Sequence, residues 1–178
     1  MNKQHVIAFL IMLVFCTTSH AFWHDKQGNP APATESMRSI QDFGGSLIVT
    51  SDLDWQKKWN TPVEVTPEWH TVTTVKQGQE VVILTFFSNP KLNDERLANI
   101  SCDIKVIQPD GVVASNHPDL VCFRGEIKGS TYNIYLAEPV MNFIGEPTDP
   151  IGMWTVEVTL KDNIRKVVLP MKTTFTLE

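Results

Sequence analysis

Residues 148–163, TDPIGMWTVEVTLKDN, indicate most directly how this chain folds. Four apolar residues alternate there with four polar ones: Trp154, Val156, Val158 and Leu160 against Thr155, Glu157, Thr159 and Lys161. A period of two places the apolar side chains on one face, which is typical of a strand with one face in a core. Asp149-Pro150 before the run and Asp162-Asn163 after it supply turn residues. The stretch predicts a half-buried β-strand, which explains a fold but not a reaction.

Short strands of the same kind are predicted through the rest of the chain. The candidates are residues 45–51, 72–75, 80–87, 99–107, 120–127, 131–138, 153–160 and 166–177. The last two form a hairpin across Asp162-Asn163, and Pro170 places the final strand at a sheet edge or a bulge. Residues 51–59, SDLDWQKKW, predict one or two helical turns with Ser51 or Asp52 as N-cap. Seven or eight short strands without a long helix predict an all-β, antiparallel β-sandwich.

Two stretches carry a resemblance to a known superfamily. Residues 72–90, VTTVKQGQEVVILTFFSNP, resemble the V-x-x-G-x-x-V-x-L strand pair of bacterial immunoglobulin-like domains. Residues 149–162 are similar to the penultimate strand of those domains, where a glycine and an aromatic residue enter an alternating run. The resemblance implies an immunoglobulin-like β-sandwich over residues 44–178. It also implies adhesion, assembly or ligand binding in preference to catalysis.

The N-terminus has the features of a secretory signal peptide. Lys3 supplies the positive charge, residues 6–15 are all apolar, and Ser19 and Ala21 stand at the −3 and −1 positions of a cleavage site. About ten apolar residues are too few for a spanning helix, which needs roughly 20. Residues 1–21 are therefore predicted to be removed, leaving a periplasmic or secreted protein without a transmembrane span. An uncleaved anchor is the alternative.

Composition restricts the partners and the redox state. Removal of 21 of the 178 residues leaves 157, with all 20 acidic and 14 of the 15 basic side chains, and so a net charge of −6. The absence of a basic patch argues against nucleic acid or an anionic membrane as partner. Cys102 and Cys122 remain after cleavage, and an even pair in an oxidising compartment predicts one disulfide bond. They are only 20 residues apart with no Trp between them, unlike antibody-type domains, so the bridge is expected to join neighbouring strands or a strand and its loop.

Residues 22–43 are predicted to form a flexible N-terminal arm or linker, because they lack apolar periodicity and contain Gly, Pro and polar residues. Phe22 and Trp23 are candidate partner contacts in this arm. Cleavage after Ala21 would also place His24 third in the chain. The terminal amine, two backbone nitrogens and the His24 imidazole would then offer four planar nitrogens to Cu(II) or Ni(II). No other cofactor is predicted.

No catalytic motif is present in the sequence. G-x-S-x-G, H-E-x-x-H, phosphate-binding and dinucleotide-binding motifs are all missing. His24, His70 and His117 are far apart in sequence, and residues 117–119 are expected to form a solvated loop. Asp52 and Asp54 are expected to cap the helix or to face solvent. The chain is therefore not predicted to be an enzyme.

Trp55, Trp59 and Trp69 fall within 15 residues and allow two interpretations. An exposed aromatic row could stack on sugar rings or on a partner peptide. Alternatively, the short helix plugs one open end of the sandwich and buries the three side chains, which the usual burial of large aromatics favours.

Two functions follow as expectations. The first is a non-catalytic accessory or structural component of an envelope assembly that binds another envelope or secreted protein. The second is a carbohydrate-binding, enzyme-binding or inhibitory module that uses the tryptophan segment. A long unpaired edge strand, or an ordered N-terminal arm lying on another chain, would favour the first function, with the arm of residues 22–43 as the preferred attachment site. An exposed Trp55/Trp59 platform would favour the second.

Overall fold

The computed structural model describes residues 32–62 and 67–178, which form two β-sheets packed face to face and one short helix. The strands are β1 (Met37–Ile40), β2 (Phe43–Thr50), β3 (Thr74–Val75), β4 (Glu80–Ser88), β5 (Leu97–Ile107), β6 (Val113–Glu126), β7 (Ile134–Leu136), β8 (Met141–Ile144), β9 (Gly152–Asp162) and β10 (Val167–Leu177). Helix α1 (Trp55–Trp59) lies between β2 and β3. The prediction of an all-β sandwich with one short helix is confirmed.

The strand order is that of an immunoglobulin-like sandwich. The first sheet has the order β1-β2-β4-β7, and β8 continues the line of β7 along the same edge of β4. The second sheet has the order β3-β10-β9-β5-β6. All pairs are antiparallel except β3 with β10. Strands β4, β5, β9 and β10 take the places of strands B, C, F and G of the immunoglobulin fold.

The two central strands show why the sequence forms this core. In β9 the alternating side chains Trp154, Val156, Val158 and Leu160 are all buried between the sheets, as predicted. Strand β4 is apolar almost throughout and is buried on both faces. Val81, Ile83 and Phe87 enter the core between the sheets, whereas Val82, Leu84 and Phe86 form a second cluster on the outer face of the first sheet. A continuous apolar run is expected where both faces of a strand are covered.

The boundary predicted at residue 44 is too late. Residues 37–40 pair with β2, and Phe43 has no exposed surface in the core. The N–H of Lys172 in β10 also donates to the carbonyl of Glu35, at 2.8 Å. The end of the predicted flexible arm therefore forms a strand. Its backbone pairs with β2, and the Phe43 side chain packs in the core. Residues 22–31 of the predicted arm lie outside the described residues, as does the predicted signal peptide.

Two predicted pairings have different outcomes. The hairpin of β9 and β10 is confirmed, and Pro170 lies on a stretch of β10 that pairs with β9 alone among the described strands. Residues 72–75 and 80–87 do not pair with each other. Strand β3 joins the second sheet and β4 the first, and the turn at Gly78, whose φ is 78°, carries the chain between them.

The predicted disulfide is present between Cys102 of β5 and Cys122 of β6, with 5.8 Å between the Cα atoms. It joins neighbouring strands of one sheet, as the short spacing predicted. Among the residues described here, no helix is both long and apolar enough to cross a membrane.

Candidate functional site

The three tryptophans lie on the outer face of the first sheet, around Phe86. The ring centroids of Trp59 and Trp69 are 5.4 and 5.8 Å from that of Phe86. Trp55 packs against the same cluster, and all three side chains are half-buried. The helix was predicted to plug an open end of the sandwich, but α1 covers the outer face of the first sheet instead. The three rings are partly buried against the sheet, so part of each ring stays accessible, and a binding role for them stays a prediction.

Asp52 holds this aromatic segment to the sheet. Its carboxylate is 8% exposed and accepts hydrogen bonds from Lys58 Nζ at 2.6 Å, from His70 Nδ1 at 2.7 Å and from the His70 backbone N–H at 2.8 Å. Thr50 Oγ1 donates a fourth at 3.1 Å. Burial alone would raise the pKa of Asp52, but the donors, with Lys58 foremost, lower that pKa far below its usual value.

This cluster corrects the expected capping role. The helix N-cap is Asp54, and it makes no side-chain capping bond. Asp52 is instead a buried anchor that joins the start of α1 to His70. His70 donates to the Asp52 carboxylate and so has a structural role.

His117, the other histidine among the described residues, lies far from this cluster, on β6. His117 is exposed on β6 in the second sheet, so the expected loop at residues 117–119 is part of a strand. No group of three or more His, Cys, Asp or Glu side chains within residues 32–62 and 67–178 is arranged to hold a metal ion. The proposed copper or nickel site at Phe22, Trp23 and His24 lies outside the described residues.

Among the described strands, β6 is the longest that lies at a sheet edge. It runs for 14 residues at the border of the second sheet, and its only strand partner in the described part of the chain is β5. Val113 and Val121 are about half exposed along it. The edge of the first sheet formed by β7 and β8 lies beside it. The N–H of Glu138, between β7 and β8, donates to the Cys122 carbonyl at 2.8 Å.

Asp103, Asp119 and Lys161 form a charged cluster at the middle of β6. Asp119 has a φ of 53° and follows Pro118, and the register with β5 shifts at this point. The Asp119 N–H donates to Asp103 Oδ1 at 2.9 Å, and Lys161 Nζ lies 2.7 Å from carboxylate oxygens of both Asp103 and Asp119. The Asp119 amide and Lys161 lower the pKa of Asp103. The cluster lies between residues 113–117 and 120–126 of β6, and the register with β5 shifts once more within each of these parts.

A groove of about 860 Å³ connects the tryptophan segment with this edge. Trp55 and Trp59 line one side, and Leu120 and Val121 of β6 line the other. The sequence pattern indicated the tryptophans and the second half of β6, as a strand over residues 120–127, but it did not indicate residues 113–119 as strand. Residues so far apart in sequence that line one groove leave no periodic signal from which the groove could be predicted.

Comparisons with known proteins give no family. No protein-family model and no curated protein matches the chain. Solved structures with a similar shape include a family 123 glycoside hydrolase from Clostridium perfringens, at 11% identity and a TM-score of 0.43 over 76% of this chain and 27% of the hydrolase. A Niemann-Pick type C2 protein from the Japanese carpenter ant has 10% identity and a TM-score of 0.38 over 75% of this chain and 89% of that one.

A third similar structure is the CARDB domain of a Pyrococcus furiosus protein in complex with di-metal ions. It has 13% identity and a TM-score of 0.33 over 60% of this chain and 84% of that domain. The chain spans only about a quarter of the hydrolase. Likenesses this weak say nothing about activity or ligand, and the fold assignment rests on the strand order itself.

Proposed function

We propose that this protein is a non-catalytic, exported component of an envelope assembly that binds an extended segment of another envelope or secreted protein along β6. The observation that supports this proposal is the length of β6, 14 residues at a sheet edge with β5 as its only described strand partner.

An unpaired strand edge is a binding surface for polypeptide. Its outward N–H and C=O groups can be satisfied by the backbone of an added strand. Proteins that do not use such an edge usually protect it with Lys, Pro or a short length. Residues 113–117, VASNH, contain neither Lys nor Pro, and Val113 and Val121 add exposed apolar surface. Pro118 and the register shifts with β5 interrupt this edge, so the support for strand addition comes from the length of the edge and from its exposed valines.

The remaining features agree with export and with a role in binding. The disulfide between Cys102 and Cys122 fits an oxidising compartment. Of the two described histidines, His70 is engaged with Asp52 and His117 lies on the exposed edge. The two histidines therefore have a structural position and an exposed edge position, which we take to favour a binding protein over an enzyme.

Site-specific photo-crosslinking tests the proposal. A photoreactive side chain at the exposed Asn116 of β6 should crosslink one envelope or secreted protein when the full chain is expressed in its own cells. The same group at Val168, an exposed residue of β10, is the matched control. Equal crosslinking from both positions, or no adduct from Asn116, would contradict binding along β6.

A second candidate function has a specific observation in its favour. A groove of about 610 Å³ on the outer face of the first sheet is lined by Trp59, Trp69, Tyr135 and polar side chains that include Ser46 and Asn133. Aromatic rings beside a few polar groups are suited to a sugar. Trp69→Ala should abolish binding in a glycan-array screen while leaving the Asn116 crosslink unchanged. A screen without any bound glycan removes this alternative.

A further inference from the structure

The groove of about 610 Å³ on the outer face of the first sheet crosses β2, β4 and β7. Ser46 on β2 is the register partner of Phe86 on β4. Ile134 on β7 is the register partner of Ser88, two residues beyond Phe86, and therefore lies on the same face. Neighbouring strands are roughly 4.8 Å apart, so the floor from β2 to β7 is roughly 10 Å wide. A ring-shaped ligand can lie flat on a floor of this width.

The apolar surface of this groove is accessible to a ligand. On one side, Tyr132 is 65% exposed and Ile134 is 44% exposed. On the other side, Trp59 and Trp69 are half-buried, with their rings packed on Phe86, and the rest of each ring lines the groove. Aromatic side chains therefore reach a ligand from both sides.

The loop between β6 and β7 forms one end of the groove and is held by hydrogen bonds. Tyr135 Oη donates to the Ser130 carbonyl at 2.6 Å, and Ser88 Oγ donates to the Asn133 carbonyl at 2.9 Å. The N–H of Asn133 donates to the Ser130 carbonyl at 3.1 Å. The loop thus presents Lys128 and Asn133 to the groove from a fixed backbone, which lowers the entropy cost of binding a ligand there.

Lys128 gives the groove its charge. Among the described residues that line the groove, it is the only one with a charged side chain. It is exposed, and none of the ion pairs in the described part of the chain includes it. The whole chain has a net charge of −5, so this groove differs in sign from the chain as a whole. A carboxylate bound here would gain a charge-assisted hydrogen bond.

We infer that this groove binds a short acidic glycan, with a pyranose ring packed on Trp59 and Trp69 and the carboxylate of a hexuronate residue paired with Lys128. The hydroxyl of Ser46 and the amide of Asn133 supply polar groups for the sugar hydroxyls. This inference rests on the second candidate function proposed above and specifies its ligand. A proline-rich peptide would also suit the aromatic rings, but it would leave Lys128 without a counter-charge.

Matched oligosaccharides test the inference with the full, oxidised protein. The probes are trisaccharides of galacturonate, glucuronate and mannuronate, and the control for each is the same trisaccharide with its carboxylates reduced to alcohols. In isothermal titration calorimetry at low salt, we expect at least one uronate to bind about tenfold more tightly than its reduced control. Raising the salt concentration to about 0.5 M should remove most of this difference, because salt screens an exposed ion pair.

The outcomes separate the ligand class from the function. Equal affinity for a uronate and its reduced control would overturn the acidic ligand but leave the second candidate function in place. Absence of binding by all three uronates would overturn the inference, while the glycan array tests the function independently. Displacement of a bound uronate by a proline-rich ten-residue peptide at a similar concentration would assign the groove to a protein ligand and overturn the inference.

Substitutions of Lys128 locate the carboxylate. Lys128→Gln should lower the affinity for the uronate about tenfold, to that of the reduced control, and leave the affinity for the reduced control unchanged. Lys128→Arg keeps the charge and should keep the preference. Lys105→Gln on β5 removes the same charge from the second sheet and should change neither affinity. Trp69→Ala should abolish binding of both sugars. Circular dichroism verifies the fold of each variant, and a preference that survives Lys128→Gln would overturn the inference.

Discussion

Asp52 shows how one buried charge can decide the position of a whole segment. Taking its carboxylate out of water is unfavourable, and the four donors from Thr50, Lys58 and His70 offset that cost. Helix α1 has only five residues and would not persist alone. Its place on the sheet therefore depends on this carboxylate and on the packing of the tryptophans around Phe86.

Replacement of Asp52 by Asn should lower the free energy of unfolding by about 2 kcal/mol at neutral pH, because charge-assisted bonds are lost. The difference should depend on pH. The pKa of Asp52 is lower in the folded protein than in the unfolded chain, so its contribution is complete above the unfolded value of about 3.9 and declines as the pH falls toward the folded value. Urea unfolding of both proteins at pH 7 and pH 3 measures this. A difference that is the same at both pH values would contradict the charged role of Asp52.

Asp162 has a comparable role at one end of the sandwich. Its fully buried carboxylate accepts the backbone N–H groups of Lys91 at 2.7 Å and of Arg165 at 2.8 Å. Arg165 in turn donates to the carbonyls of Gln41 and Asn89. The pair joins the β9–β10 turn to the loops that follow β1 and β4.

Asp162→Ala should therefore lower the free energy of unfolding by about 3 kcal/mol, since several buried donors lose their acceptor. The matched control is Asp110→Ala in the exposed turn before β6, where the carboxylate accepts one N–H from Val112. The control should cost less than about 1 kcal/mol. Chemical denaturation of both variants gives the comparison, and equal losses would show that the contacts of Asp162 carry no special weight.

At the scale of elements, the disulfide fixes the edge strand on which the proposed function depends. It connects β5 to β6 at Cys122, and the carbonyl of Cys122 also receives the bond from Glu138 of the first sheet. The bridge thus holds β6 where the two sheets meet.

Cys102→Ser should destabilise the protein by about 3 kcal/mol in the chain-entropy model. For a protein of this size the thermal midpoint should fall by roughly 6–12 °C. Calorimetry of the oxidised, reduced and substituted proteins measures the effect, and the reduced protein should match the variant. Rapid alkylation of both thiols in the untreated native protein would show that no bridge exists.

The elements that sequence could predict are those with a periodic signal. Strand β9 has alternation, and β4 has a continuous apolar run, which could also have indicated that both faces of the first sheet are covered. Strands β1 and β8 have four residues each, too few for a period. The first half of β6, VASNH, has no alternating pattern and precedes Pro118, so its strand conformation comes from pairing with β5 and not from its own preferences. The candidate site was missed for the same reason.

At the scale of the whole molecule, the described residues close one side of the sandwich and leave the other side open. On the closed side, Lys172 binds Glu35 through its N–H and its ammonium group, and Arg38 donates to the carbonyl of Pro170. The last residues of β10 pair with β3, so this edge of the second sheet is largely occupied. On the other side, β6 meets the edge of β7 and β8 through the Glu138–Cys122 bond. Under the proposed function, this asymmetry favours β6 over the N-terminal segment and the last strand as the attachment site.

Truncation tests both the domain boundary and this asymmetry. A protein that begins at residue 32 should keep its thermal midpoint within a few degrees, because β1, Phe43 and the contacts of Glu35 are all retained. A protein that begins at residue 44 should lose about 3–5 kcal/mol from Phe43 alone, together with the pairing of β1, and should melt far lower or fail to fold. The shorter deletion should also preserve the crosslink from Asn116. Loss of that crosslink in a folded protein lacking residues 22–31 would move the attachment site from β6 to the N-terminal segment.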